Sequence, residues 1–175
     1  MLSKKIQQKL NEQVALEGSA SSIYLAMASW CERQGLQGCA NFFYDQSDEE
    51  RMHMIKIVKY INEMDGAAVI PAMQQPANDY ASIQEVFKVV YKQEKHVTAS
   101  IYQILSLSQE ENDHSTALFM QWYVAEQREE EAQVRNILDA IKLIGAGGQS
   151  LYYIDKEVQK INNLRAVETE DTESV

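Results

Sequence analysis

Apolar residues recur at alternating spacings of three and four along four long segments, and this pattern is the strongest constraint on how the chain folds. Such spacing is typical of an α-helix with one buried face, so the sequence predicts an all-α bundle of four amphipathic helices. Each apolar seam is interrupted at its centre by side chains that can bind a metal: Glu17; Glu50 and His53; Glu94; and Gln127 with Glu130. Because carboxylates in a bundle core are costly unless something pairs with them, the pattern favours a pair of iron ions between the helices.

The composition argues against several other classes of protein. The 175 residues are enough for one domain with a sizeable core, and only seven Gly and two Pro argue against a β-sandwich, a collagen or a disordered chain. The net charge of -10 argues against nucleic acid and anionic membranes as partners and favours cations. No apolar run approaches the roughly 20 residues that span a bilayer, and the N-terminus lacks a signal-peptide core. We therefore expect a cytoplasmic protein.

Two cysteines, Cys31 and Cys39, flank the first predicted turn and are placed so that their thiols could approach each other. They could form a disulfide or remain as separate buried thiols. Because the cytosol is reducing, we expect buried thiols.

Capping residues, glycines and prolines divide the chain into five predicted helices. These helices span about 3–35, 38–65, 82–111, 113–145 and 149–162, the last being short. Residues 66–81 contain both prolines and show no periodicity, so they are predicted to be a connection. We expect a single domain over 1–162, followed by an acidic, disordered tail over 163–175.

The predicted hairpins place the polar side chains at one depth in the bundle. A turn centred near Leu36 puts Glu17 opposite position 55, close to His53, because residues equidistant from a turn lie at one level. A turn near Glu111 likewise puts Glu94 opposite position 128. The connection reaches at most about 50 Å, which exceeds the roughly 40 Å of a bundle helix. The second and third helices are therefore predicted to be parallel, in an up-down-down-up order with a long crossover.

The residue types at this depth are those that iron prefers. Fe(II) and Fe(III) accept carboxylate oxygen and imidazole nitrogen, and a Glu with a His three positions later presents both from one helical face. Paired metals about 3.5 to 4 Å apart share bridging ligands in many enzymes. The first hairpin matches the Glu plus Glu-x-x-His pattern known in ferritin-like bundles. The fourth helix departs from it, because it carries Gln127 and Glu130 where Glu and His are expected.

The segments QVALEGSASSIYLAMASW, FFYDQSDEERMHMIKIVKYIN, VVYKQEKHV and FMQWYVAEQREEEAQV carry a specific resemblance. Over about residues 1–162 the chain resembles the bacterial non-haem ferritins. The resemblance implies a ferritin-like four-helix bundle with a short C-terminal fifth helix. It also implies an iron-storage ferroxidase that oxidises Fe(II) with O2 or H2O2 and mineralises it inside a homo-oligomeric shell of 24 subunits.

The resemblance also implies a role for each residue of the centre. Glu17, Glu50 and His53 would hold one iron, whereas Glu50, Glu94 and Glu130 would hold the second. Gln127 matches a residue that lies beside the second iron. Tyr24 would adjoin the centre as a hydrogen-bond partner and an electron donor, and Trp122 matches a neighbouring aromatic side chain.

A third metal site is implied by acids beyond those that two irons need. Glu49 and Glu126 each lie one residue from a seam residue, and Glu129 precedes Glu130. In the bacterial ferritins that the chain resembles, this position holds a third metal with Glu130 shared. The alternative interpretation is an ordinary solvated acidic face.

Three functional classes remain open on the sequence alone. The first is an iron-storage ferroxidase, the second a di-iron enzyme acting on an organic substrate or peroxide, and the third a metal-free helical interaction protein. The third would leave five buried polar groups without a function. Bacterioferritin is a near neighbour, but Arg51 occupies the position of its haem-binding methionine, so we expect no haem.

Overall fold

The structure is a computed structural model that describes residues 2–173, with side chains described as far as Leu164. It consists of five α-helices: α1 (Lys4–Arg33), α2 (Gln37–Glu63), α3 (Ile83–Glu110), α4 (His114–Ile144) and α5 (Ser150–Glu173). The predicted all-α class is confirmed. In the described part of the chain, no helix is both long and apolar enough to cross a membrane.

The predicted capping residues begin three of the helices. The Ser3 side chain accepts a hydrogen bond from the Ile6 backbone, and Asp113 accepts one from Thr116. Ser82 accepts from the Glu85 backbone at 3.1 Å, while the Glu85 carboxylate accepts from the backbone of the residue before Ser82. These bonds satisfy N–H groups that a helix start leaves without a partner.

The connection between α2 and α3 runs the length of α1, as its length predicted. Near its start, Asn11 accepts a hydrogen bond from the Val69 backbone at 2.7 Å. Near its end, Arg33 donates to the Asn78 carbonyl at 2.5 Å and to Asp79 at 3.3 Å. The connection therefore crosses from one end of the bundle to the other, and α3 runs parallel to α2.

The core consists of two apolar clusters with a polar layer between them. On α1, the residues of one cluster lie between Ile6 and Val14 and those of the other between Ala20 and Cys31. Glu17 falls in the gap. On α3 the corresponding gap lies between Val90 and Val97 and contains Glu94. Apolar packing on both sides therefore holds the four helices in register where the polar side chains meet.

Helix α5 packs against the first half of α2 and supplies its N-terminal cap. Leu36, which precedes α2, has no side-chain acceptor, and the buried Asp155 of α5 accepts a hydrogen bond from the Cys39 backbone at 2.9 Å instead. A Cβ atom on Gly38 would lie 2.3 Å from the Asp155 carbonyl oxygen, so only glycine permits this approach. Asn41 also bonds to Gln159 at 2.8 Å.

The fifth helix is longer than the sequence predicted. Its backbone continues to Glu173 rather than ending near Asn162, because no Gly or Pro follows Asn162. Ile154 and Val158 of the predicted apolar stripe are buried, whereas Leu151 remains exposed. Side chains of the tail are described only as far as Leu164. The predicted disorder of residues 163–175 stays a prediction.

Candidate metal centre

The polar side chains predicted from the sequence meet in the middle of the bundle. Glu17, Glu50, Glu94 and Glu130 are each 1% exposed, and His53 is 4% exposed. They form two groups whose ligand atoms lie within 4.8 Å of one another. Glu17, Glu50 and His53 form one group, and Glu50, Glu94 and Glu130 form the other. Because both groups contain Glu50, the arrangement is that of two adjacent cation positions joined by one carboxylate.

Several carboxylate oxygens in this layer have no hydrogen-bond donor. Neither oxygen of Glu50 has a hydrogen-bond partner among the described residues, nor does Oε2 of Glu17. Burial raises the pKa of Glu50 well above its usual range, and the neighbouring Glu17, Glu130 and Glu94 raise it further. A buried acceptor without a donor costs free energy that a cation or a proton would offset. Hard oxygen donors beside one imidazole fit iron.

Two hydrogen-bond donors hold the Glu94 carboxylate at the centre. The Tyr24 hydroxyl donates to its Oε1, and the Gln127 amide donates to its Oε2 at 2.6 Å and to its backbone carbonyl at 3.1 Å. Burial raises the pKa of Glu94 to about 7, although the Tyr24 and Gln127 hydrogen bonds oppose that rise. Gln127 therefore orients a carboxylate with its amide nitrogen here, although the sequence placed it among the metal-binding residues.

His53 is oriented by its neighbours rather than by a carboxylate alone. Its Nδ1 lies 3.6 Å from Glu50 and 3.9 Å from Glu130. The Tyr123 hydroxyl donates to the His53 carbonyl at 2.8 Å, which fixes the helix backbone beneath the ring. The indole of Trp122 meets the imidazole edge-on at 5.2 Å, so the predicted neighbouring aromatic lies against the site.

The acids predicted to form a third site are only partly brought together. Glu49 joins His53 and Glu130 in a further group of possible ligands, and Gln46 donates to Glu49 at 2.9 Å. Glu126 is half-buried and Glu129 is exposed. Neither joins a three-residue ligand group in the described part of the chain. The structure thus places one of the three predicted acids at the centre, and the third site stays a prediction.

The sequence analysis missed two glutamines that hold carboxylates of the centre. Gln13 is fully buried and donates to Oε1 of Glu17 at 2.8 Å. Gln46 holds Glu49 in the same way. Their spacings of four and three residues from these acids place each pair on one helical face. That spacing, inside an otherwise apolar seam, was the signal that could have identified them.

The two cysteines are free and buried, as expected. Burial, together with the nearby Asp155, raises the pKa of Cys31 to about 12. The pKa of Cys39 is also raised, first by burial and then by Cys31. Because the thiolate is the reactive form, both thiols are inert near neutral pH.

Comparison with known proteins agrees with this architecture. The Ferritin-like domain of the ferritin family matches residues 7–144. The chain belongs to the ferritin family. A probable bacterial non-heme ferritin-like protein of Haemophilus influenzae is 40% identical over 162 residues, which cover 93% of this ferritin-family chain and 98% of that relative. A bacterial non-heme ferritin of Campylobacter jejuni is 40% identical over 161 residues, covering 92% and 96% of the two chains.

A solved structure gives the same result for the fold. An open-pore ferritin from Archaeoglobus fulgidus superimposes with a TM-score of 0.87 at 35% identity, covering 91% of this ferritin-family chain and 98% of that one. The resemblance inferred from the sequence motifs is confirmed, and with it the assignment to the iron-storage proteins.

Proposed function

We propose that this ferritin is a ferroxidase that converts Fe(II) to Fe(III) at the buried carboxylate layer and stores the product as mineral. The observation that carries the proposal is the pair of ligand groups sharing Glu50, whose two oxygens lack any donor among the described residues. Iron is the substrate here. An acidic centre favours Fe(III) over Fe(II), because the higher charge gains more from carboxylate oxygens.

Each residue has a proposed role in binding the two irons. Glu17, Glu50 and His53 hold the first Fe(II), and Glu50, Glu94 and Glu130 hold the second. The two ions supply two electrons. With two protons these reduce hydrogen peroxide to two molecules of water, or dioxygen to hydrogen peroxide. Gln127 and Tyr24 keep the Glu94 carboxylate turned towards the centre, and Tyr24 is the proposed source of a further electron.

Storage requires a shell, and we propose a cytoplasmic homo-oligomer of 24 subunits. Leu143, Leu118 and Tyr152 are 87%, 70% and 62% exposed, and assembly would bury apolar surface of this kind. With subunits of 20.0 kDa, the shell would have a mass of about 480 kDa. The net charge of -10 on each subunit would concentrate Fe(II) around it. No haem is expected, because Arg51 offers no axial ligand.

The proposal is tested by adding Fe(II) aerobically to the purified protein and following both the oxidation rate and the iron retained per subunit. Glu94→Ala and His53→Ala should abolish the fast phase of oxidation while the helical content stays unchanged. Glu12→Ala is the matched control, because Glu12 is a surface carboxylate of α1. An unchanged fast phase in both centre variants would contradict the assignment, and a monomer in gel filtration would contradict the shell.

A further inference from the structure

Trp122 lies between the candidate centre and a lysine. Its indole lies nearly perpendicular to the His53 imidazole, with the two ring centroids 5.2 Å apart, and the Lys56 ammonium lies over the indole, 3.2 Å from the ring centroid. Lys56 follows His53 by three residues on α2, so both side chains leave the same face of the helix. Trp122 is therefore the tryptophan nearest to the centre at which oxidants would be reduced, and a positive charge covers one face of its ring.

A carboxylate is the counterpart of the Lys56 ammonium in this position. Burial lowers the pKa of Lys56, whereas the neighbouring Glu126 carboxylate opposes that fall. An ammonium over an indole face is attracted by the ring electrons while the ring is neutral. Once the ring has lost an electron, the same ammonium faces a positive charge at close range and repels it. The contact thus stabilises the reduced indole and destabilises the oxidised one.

We propose that Lys56 is a positioning residue that protects Trp122 from one-electron oxidation and so directs oxidising equivalents to Tyr24. The step it suppresses is loss of one electron from the indole to the oxidant, followed by loss of the Nε1 proton to water. At the centre, the oxidant arises when hydrogen peroxide accepts one electron instead of two. This role rests on the proposed ferroxidase function.

Tyr24 has the opposite environment. Its hydroxyl donates a hydrogen bond to the Glu94 carboxylate, so a proton acceptor is already in place for the proton that a tyrosine releases on oxidation. Trp122 instead has a cation on its face. Two aromatic side chains therefore adjoin the same centre, one arranged to give up an electron with its proton and the other arranged to keep it.

The first test uses metal-free protein, so that it does not depend on iron oxidation. Azide radical takes one electron from tryptophan and becomes azide, and in dissolved oxygen the oxidised residue is recovered as an oxygenated product. Peptide mass spectrometry then compares Trp122 with Trp30, which packs against Tyr80 in the other part of the bundle. The variants are Lys56→Met, which removes the charge, and Lys56→Arg, which keeps a cation able to stack on the ring. Lys59→Met, an exposed lysine of the same helix, is the matched control.

The charge of Lys56 should decide the result. Lys56→Met should raise oxidation of Trp122 relative to Trp30 by about tenfold or more, because a close positive charge is lost. Lys56→Arg and Lys59→Met should leave the ratio as in the unsubstituted protein. A ratio that does not change in Lys56→Met, or that rises equally in Lys56→Met and Lys56→Arg, would overturn the proposal.

A second test repeats the comparison during turnover with Fe(II) and hydrogen peroxide. Lys56→Met should keep the fast phase of iron oxidation and accumulate oxygenated Trp122, and the Trp122 product should be absent when His53→Ala is added. If the fast phase is missing from the unsubstituted protein, the proposed function fails, while the metal-free comparison still decides the effect of Lys56. Normal turnover without extra Trp122 oxidation in Lys56→Met would overturn the protective role.

Discussion

The metal-free bundle should lose stability as the pH rises, which is opposite to the usual behaviour of paired carboxylates. The pKa of Glu94 rises from 4.5 to about 7 on folding, mainly through burial. Between these values the folded protein holds a proton that the unfolded chain has released, so the free energy of unfolding falls with increasing pH. At about 1.4 kcal/mol per pH unit, the rise from 4.5 to about 7 corresponds to about 3 kcal/mol. This stability is complete below pH 4.5 and lost above pH 7, and the raised pKa of Glu50 acts in the same direction.

Thermal unfolding of chelator-treated protein at about pH 5 and about pH 8 would measure this effect. Glu94→Gln should flatten the pH dependence and should melt above the unsubstituted protein at the higher pH, since an amide has no proton to lose. Glu12→Gln is the control. A hydrogen bond from Lys9 lowers the pKa of Glu12, so removing this carboxylate should change the pH dependence of stability in the opposite direction. With added Zn(II), the unsubstituted protein should instead melt at a higher temperature than Glu94→Gln. A metal-free melting temperature that is higher at about pH 8 than at about pH 5 would refute the reasoning.

Two further predictions concern the α2–α5 contact and the third metal. Gly38→Ala should lower the free energy of unfolding by about 1–3 kcal/mol and speed hydrogen exchange in α5, because its Cβ would lie 2.3 Å from the Asp155 carbonyl oxygen. Gly147→Ala is the control and should have little effect, because a Cβ there meets nothing within 4 Å. Glu49→Ala combined with Glu126→Ala should keep the fast phase but change the ratio of iron oxidised to oxygen consumed. An unchanged ratio together with an unchanged number of tightly bound irons would exclude a third site.

Most of the fold follows from local signals that the sequence states directly. Ser3, Ser82 and Asp113 begin helices because their side-chain oxygens satisfy exposed backbone N–H groups, and Gly145 ends α4 with a φ of 71°. The cap of α2 was not predictable in this way. Its acceptor, Asp155, comes from another helix 116 residues away, and only tertiary packing brings it to the Cys39 backbone. Similarly, α5 continues beyond its predicted end near Asn162, because the acidic segment that follows contains no helix-breaking residue.

The depth of the centre was predictable because helical register is rigid, whereas the direction of individual polar atoms was not. Counting from the two turns placed Glu17 beside His53 and Glu94 beside Gln127, and the structure brings these pairs into the same layer. Register alone cannot show that Gln127 turns its amide nitrogen towards Glu94, since either end of an amide fits the same position. It also cannot distinguish Glu49, which reaches the centre, from Glu129, which remains exposed.

The raised pKa values of the buried carboxylates indicate that a cation bound between them would be stabilised. The two apolar clusters hold four helices in register, so the acids between them cannot move apart to reach water. Without a metal, the layer can relieve its repulsion only by binding protons, as the raised pKa values of Glu50 and Glu94 indicate. A cation held by Glu50 and its neighbours would displace these protons and offset the repulsion among the carboxylates. The repulsion that destabilises the metal-free bundle at high pH would therefore also favour metal binding, and relieving it by Glu94→Gln should raise the stability of the metal-free protein and weaken its affinity for metal.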